Sequence, residues 1–275
     1  MTFSIVARSA DGESWGVAVA SKFLAVGAAV PAAVAGVGAI ATQADANVAY
    51  KGLALSHLDE GATADVALQR LLEEDEGRDD RQVGIVDLDG HAASHTGSSC
   101  LDWAGGVTGP GYAIQGNILA GEHVVTAMRE AWDATDEDAP LARRLLAALA
   151  AGDAAGGDRR GRQSAALLVV REGAGYGGLD DIAVDLRVDD HATPVPELTR
   201  LLDLNDLYLT ASTDEEKVPV TPELEAELEE RARSLGARDF QAWVGTENYE
   251  MRVAPDSSWI DRQILDRLRA AGPHA

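Results

Sequence analysis

The chain has 275 residues, 46 of them Asp or Glu against 23 Lys or Arg, which gives a formal charge of −23. That charge repels phosphate polyanions and anionic membrane surfaces, so a basic nucleic-acid binder and a membrane-surface protein are both excluded. A hydrophobic fraction of 46% gives the chain a core to bury, which an acidic disordered protein lacks.

The chain opens as a hairpin. Residues 3–8 alternate Phe3, Ile5 and Ala7 with Ser4, Val6 and Arg8, and residues 14–21 return after a turn at Asp11-Gly12. Residues 47–74 read as two helices, the first stopped at Gly61 and the second entered through Thr63 as N-cap, with Val66, Leu68, Leu71 and Leu72 on its apolar side. Strands follow at 82–87 and 91–95 around Asp89-Gly90, and another at 112–115. Helices are expected at 122–133 and 141–151, a glycine-rich loop at 152–161, and strands at 165–170 and 182–188. Hairpin strands alternating with helix pairs favour antiparallel sheets in an α+β fold over the strict alternation of a parallel sheet.

Glycine use then changes. Positions 1–210 hold all of the glycines except Gly236, Gly245 and Gly272, so the chain is divided into residues 1–207 and a small, mainly helical module at 208–275. In the module Thr221-Pro222-Glu223 opens a helix through Leu235, and Ser257 is expected to cap a last helix through Leu268.

Acid is spread along the whole chain, as on halophile-type, salt-adapted surfaces, so a single carboxylate is read as solvated charge unless its context says otherwise. Cys100 is the sole cysteine, which leaves no disulfide framework and no multi-thiolate metal site. The start carries Arg8 and Asp11 and no signal-length apolar run, so a cytoplasmic protein is expected. His57, His91, His123, His191 and His274 lack metal-ligand spacing; no metal and no cofactor are expected.

The second residue carries the strongest chemical hint. A Met-Thr start favours removal of the methionine, and a mature Thr2 then holds a hydroxyl and an α-amine on one residue. An α-amine of ordinary pKa, ~7.7–8.0, can take the hydroxyl proton at neutral pH and return it to a leaving group. The return strand of the hairpin ends at Ser21-Lys22, beside the start of the first strand, so a cation is brought near Thr2.

Seven segments in order extend this picture: Thr2-Phe-Ser-Ile-Val-Ala-Arg8, Gly16-Val-Ala-Val-Ala-Ser-Lys-Phe-Leu-Ala-Val-Gly27, Ala41-Thr-Gln-Ala44, Arg81-Gln-Val-Gly-Ile-Val-Asp87, His95-Thr-Gly97, Gln115-Gly-Asn117 and Ala155-Gly-Gly-Asp-Arg-Arg-Gly-Arg-Gln-Ser-Ala165. Together they resemble the domain-of-unknown-function family 1028, whose members are described as N-terminal-nucleophile hydrolases. The resemblance covers most of residues 1–205. It implies a four-layer αββα sandwich of antiparallel sheets, with the nucleophile falling on Thr2 and the strand-end basic residue near Lys22. The tail, through residues 223–235, 243–248 and the helix after Trp259, resembles a small peptidoglycan-binding-like module carried by some members.

Other polar residues fill out a candidate site. His95 at a strand end is a candidate acid or base. Gln43, Gln115, Asn117 and Gln163 are amides able to hold an oxyanion or a substrate amide, and Ser21 lies beside Thr2. The loop with Asp158, Arg159, Arg160 and Arg162 concentrates positive charge on an acidic chain, so Asp158 and Arg162 join the substrate-binding candidates and an anionic small molecule or short peptide is an expected partner. The reaction expected is hydrolysis of a C–N amide bond through Thr2. Two alternatives remain open: a cyclohydrolase-like enzyme of the same fold without a covalent nucleophile, and a non-catalytic ligand-binding or scaffold protein. A homo-oligomer is expected, with no nucleic-acid or membrane partner.

Overall fold

The structure, a computed structural model, describes residues 2–272. The chain divides into two units between Leu201 and Leu202, earlier than the change in glycine use.

The first unit opens with β1 (Thr2–Arg8) and β2 (Ser14–Ser21), an antiparallel pair whose register sets Thr2 opposite Ser21. Asp11 shapes the turn by accepting the Glu13 N–H at 3.0 Å. A short α1 (Val26–Ala29), β3 (Pro31–Val34) and β4 (Gly38–Ala44) follow. The helix pair α2 (Tyr50–Asp59) and α3 (Ala64–Glu73) comes next, with Thr63 Oγ1 accepting the Val66 N–H at 3.4 Å as N-cap. Four strands then run as β5 (Arg81–Asp87), β6 (Ala92–Thr96), β7 (Gly105–Gly109) and β8 (Tyr112–Asn117). A second helix pair, α4 (His123–Ala134) and α5 (Leu141–Ala154), leads to β9 (Ser164–Arg171) and β10 (Ile182–Val188).

These strands form a six-stranded sheet in the order β10-β9-β2-β1-β8-β7 and a four-stranded sheet in the order β3-β4-β5-β6, every pairing antiparallel. The sheets pack face to face through Val6, Val17 and Val19 on one side and Ala39, Ala41 and Val86 on the other. Tyr50, Ala54, Ala67 and Leu71 of α2 and α3 close over Ile40, Val83 and Ile85 on the outer face of the smaller sheet. On the outer face of the larger sheet α5 packs on β1 and β2, and α4 on β8, burying Met128, Leu145 and Leu149. Burial on both sheet faces is why the central strands are apolar and small-residue-rich.

Two local expectations need correction. Val66 is 40% exposed; α3 buries Ala64, Ala67, Leu68 and Leu71, so its apolar stripe runs through alanines that carry little weight in the pattern. The last helix is not capped by Ser257. Residues around Trp259 instead form a strand, and Asp261 caps the helix by accepting the Gln263 N–H at 2.7 Å.

The helix α6 (Pro194–Leu209) includes the division between the units. The second unit contains β11 (Lys217–Pro219), α7 (Pro222–Ser234), α8 (Phe240–Thr246), β12 (Trp259–Asp261) and α9 (Arg262–Ala270), the two strands pairing antiparallel. Its core gathers Leu228, Phe240, Trp243, Tyr249, Ile264 and Leu268. Within it Arg252 donates to Asp261 Oδ2 at 3.0 Å and to the Leu207 carbonyl at 3.1 Å, and Ser212 donates to Asp261 at 2.6 Å, all buried. Removing one partner of such a pair strands the other charge, so Asp261→Ala is expected to cost this unit about 3–5 kcal/mol in denaturant unfolding. Among the described residues no helix is long and apolar enough to cross a membrane.

Candidate active site

Strand alternation sets one face of β1 against the smaller sheet, and that face carries Thr2, Ser4 and Val6. Because β1 lies between β2 and β8, register places Ser21 and Asn117 on either side of Thr2 and Gln115 beside Ser4. Across the gap, β4 and β5 contribute Gln43 and Gln82, themselves register partners, and Thr96 of β6 faces Gln82. Buried polar side chains from five strands therefore meet between the sheets, at the end where the described chain begins.

Their hydrogen bonds form one network. Thr2 Oγ1 lies 3.1 Å from Ser21 Oγ. Gln115 Nε2 donates to Ser4 Oγ at 2.7 Å, and Ser4 donates in turn to Gln43 Oε1 at 2.7 Å. Gln43 Nε2 reaches Gln82 Oε1 at 2.9 Å, the Thr2 carbonyl at 3.3 Å and the Gln115 carbonyl at 3.4 Å. Gln82 Oε1 also accepts from Asn117 Nδ2 at 2.9 Å, while Gln82 Nε2 donates to Thr96 Oγ1, the Gly105 carbonyl and the Gly116 carbonyl. Gln82 is thus the hub, and Gln43 fixes the backbone carbonyl of Thr2. Gly84 makes room for this network: a Cβ there would come within 2.2 Å of Gln115 Oε1.

At the strand ends a single loop runs past all three strands. Ala120 N–H donates to the Gly157 carbonyl at 3.0 Å and Arg159 N–H to the Ile118 carbonyl at 3.3 Å, just beyond β8; Lys22 N–H donates to Asp158 Oδ2 at 2.6 Å, just beyond β2. The loop therefore spans the start of β1, and Gly157, at φ +46° and where a Cβ would come within 3.0 Å of the Phe3 ring, lets it lie close. Asp158 is buried and also accepts the Arg160 N–H at 2.8 Å and the Arg160 guanidinium at 3.3 Å. Arg162 pairs with Asp153 at 2.6 Å, which holds its pKa above the ordinary guanidinium value. Phe3, Ser21, Asp153, Asp158 and Arg162 line a small cavity beneath the loop.

The expected site residues therefore separate into groups. Thr2, Ser21, Gln43, Gln115 and Asn117 are brought together; Asp158 and Arg162 lie at the adjoining loop. Lys22 directs its ammonium to the Arg162 carbonyl at 3.4 Å and not to Thr2. His95 lies apart: register turns Thr96 toward Gln82, so the adjacent His95 faces away and its Nε2 contacts the Arg78 carbonyl at 2.9 Å. Gln163 is also apart, donating to Asp190 at 3.1 Å. Sequence reasoning missed Ser4, Gln82 and Thr96. The signal for Ser4 was its even spacing from Thr2; Gln82 sits between the charged run Arg78–Arg81 and the apolar run that begins at Val83, so it read as a strand edge.

One ion pair braces the Gln82 end. Asp75 accepts from Arg81 Nε at 2.9 Å, Tyr50 Oη at 2.8 Å and Gly77 N–H at 2.8 Å. The Arg81 bond is the main cause holding the Asp75 carboxyl far below its ordinary value of 3.8, while burial first and Asp75 second push the Tyr50 phenol up. A depressed carboxyl stabilises the fold fully above its unfolded pKa, and that contribution is lost as pH falls through the range below it. Asp75→Asn should accordingly cost about 1–3 kcal/mol at neutral pH and flatten the acid side of the stability curve, as read by urea unfolding between pH ~3 and ~7.

A family model described as a family of unknown function, DUF1028, matches residues 2–198. The chain belongs to DUF1028. Every residue of the buried network falls within the matched part, and α7 to α9 lie beyond it. This DUF1028 chain is similar to the crystal structure of protein SPO2555 from Silicibacter pomeroyi, which carries the same family model. The two share 33% identity at a TM-score of 0.67, over 78% of this chain and 90% of that one. Anbu, the ancestral beta-subunit from Yersinia bercovieri, aligns at 10% identity and a TM-score of 0.34, over 74% and 94% of the respective chains. No match was found among curated proteins.

Proposed function

We propose that this DUF1028 chain is an N-terminal-nucleophile amidohydrolase that cleaves a C–N amide bond of a small molecule or short peptide, with Thr2 as nucleophile after removal of Met1. Met1 itself lies outside the described residues. The observation that carries the proposal is the placement of Thr2 Oγ1, 3.1 Å from Ser21 Oγ, at the start of a central strand between two sheets. Helix pairs on the two outer faces agree with the four-layer αββα sandwich implied for such a hydrolase.

In this reaction the Thr2 amine takes the Oγ1 proton, directly or through one water, as Oγ1 attacks the substrate carbonyl carbon. The tetrahedral oxyanion is held by amide and backbone donors near the strand ends. The C–N bond then breaks; the departing nitrogen takes the proton back from the amine and leaves as an amine, with the acyl group esterified to Thr2. Water hydrolyses that ester, giving a carboxylic acid and restoring the Thr2 hydroxyl. Ser21 orients Oγ1, and Gln43 holds the Thr2 carbonyl so that the strand end cannot drift.

The test is chemical trapping. A β-lactone probe should leave one acyl group on Thr2, located by peptide mass spectrometry after digestion. An adduct confined to Ser21, or no adduct on folded protein, would count against this mechanism.

A further inference from the structure

We infer that the substrate carries a carboxylate close to its scissile amide, and that Lys22 and Arg159 recognise it. This inference rests on the Thr2 site proposed above and concerns what that site selects. In the sheet order β2-β1-β8, Thr2 sits between Ser21 and Asn117. Lys22 follows Ser21 directly on one side. On the other, Arg159 is tied by its N–H to the carbonyl of Ile118, the residue after Asn117. The backbones of Lys22 and Arg159 therefore stand on the two sides of the start of β1, bridged by the Lys22 N–H bond to Asp158 Oδ2.

The charges around this position are unlike the rest of the molecule. The chain as a whole carries −23, yet the segments flanking Thr2 bring Lys22, Arg159, Arg160 and Arg162 against Asp153 and Asp158. The two carboxylates are already engaged: Asp153 by Arg162, and Asp158 by two backbone N–H groups and Arg160. Lys22 and Arg159 are exposed, and neither is paired with a carboxylate among the described residues; the Lys22 ammonium meets only a carbonyl oxygen. Lys22 is also held in place by its own N–H bond to buried Asp158, which gives the ammonium a fixed root. An anion entering here completes two charge-assisted hydrogen bonds, whereas a neutral amide leaves both cations to water. Because both groups are exposed, their replacement leaves the core and the buried amide network untouched.

The inference is tested by binding, on protein in which Thr2→Ala prevents turnover, so that the result does not depend on the nucleophile. A panel of N-acetyl amino acids and the corresponding N-acetyl amino acid methyl amides is titrated calorimetrically into this protein and into the same protein carrying Lys22→Gln and Arg159→Gln. The acids are expected to bind about tenfold more tightly than their methyl amides, one charge-assisted contact's worth of discrimination, and the double substitution is expected to erase that preference. Equal binding of acids and amides, a preference that survives the double substitution, or no binding by any acid would overturn the inference. The Thr2 chemistry is judged separately by β-lactone trapping on the unsubstituted chain, so the two can fail independently.

Discussion

Thr2→Ala is expected to lower amide hydrolysis by at least about 10³-fold, the usual consequence of deleting a covalent nucleophile, and to abolish β-lactone acylation. Thr2→Ser should retain measurable turnover. The pair separates chemistry from architecture. Thr2 is buried at 6% exposure and its Oγ1 has Ser21 Oγ as neighbour, so alanine removes one hydroxyl and a methyl while β1 keeps its ladder to β2 and β8. Serine restores the hydroxyl without the methyl that fixes its rotamer, so a slower but active enzyme is the expected phenotype. If Thr2→Ala retained the full rate, Thr2 would be reduced to a strand residue, and the amide network would have to serve another reaction.

Gln82→Leu is expected to cost the first unit about 3 kcal/mol or more in stability by chemical denaturation. The carboxamide of Gln82 accepts from Gln43 and Asn117 and donates to Thr96 and to the carbonyls of Gly105 and Gly116. A leucine of similar volume fills the space but leaves the Asn117 donor and two carbonyls unpaired between the sheets, each costing about 1–3 kcal/mol with incomplete additivity. Gln82→Glu is expected to destabilise as well, because a carboxylate can accept from Gln43 and Asn117 but cannot donate to the Gly105 and Gly116 carbonyls. Recovery of stability in the glutamate variant would show that acceptance alone is the hub's role. In the folded fraction of either variant, acylation of Thr2 should slow, since Gln43 carries the network to the Thr2 carbonyl.

How far the sequence reveals this arrangement depends on the kind of information each element uses. The β1–β2 hairpin was legible because alternation and an Asp-Gly turn are local signals. The strands β3, β4 and β7 were not anticipated: Pro31–Val34 and Gly38–Ala44 are small and mostly apolar, so no alternation marks them, and Gly105–Gly109 offers almost no side chains to read. Thr2 was singled out by the Met-Thr start, and Ser21 was brought beside it by hairpin register. The rest of the network joins residues 4, 43, 82 and 115, whose meeting depends on which strands become neighbours and which sheets face each other. The positions of Lys22 and His95 have the same origin. Lys22 follows Ser21 in the chain, but its side chain leaves along the loop to the Arg162 carbonyl, and His95 sits one residue out of phase with the inward-facing Thr96.

The −23 charge also acquires local meaning. It sets the background against which Lys22 and Arg159, which have no carboxylate partner among the described residues, become informative. The buried network itself is built from amides and hydroxyls, groups that neither add to that charge nor titrate near neutral pH.

The most direct measurement for the central claim is the intact mass of purified, catalytically active protein, combined with sequencing of its N-terminal peptide. A chain that lacks Met1 and begins with a free Thr2 amine is the predicted result. An active preparation in which the chains retain Met1 would contradict the mechanism, because the Thr2 nitrogen would then be an amide with no basicity to lend its hydroxyl.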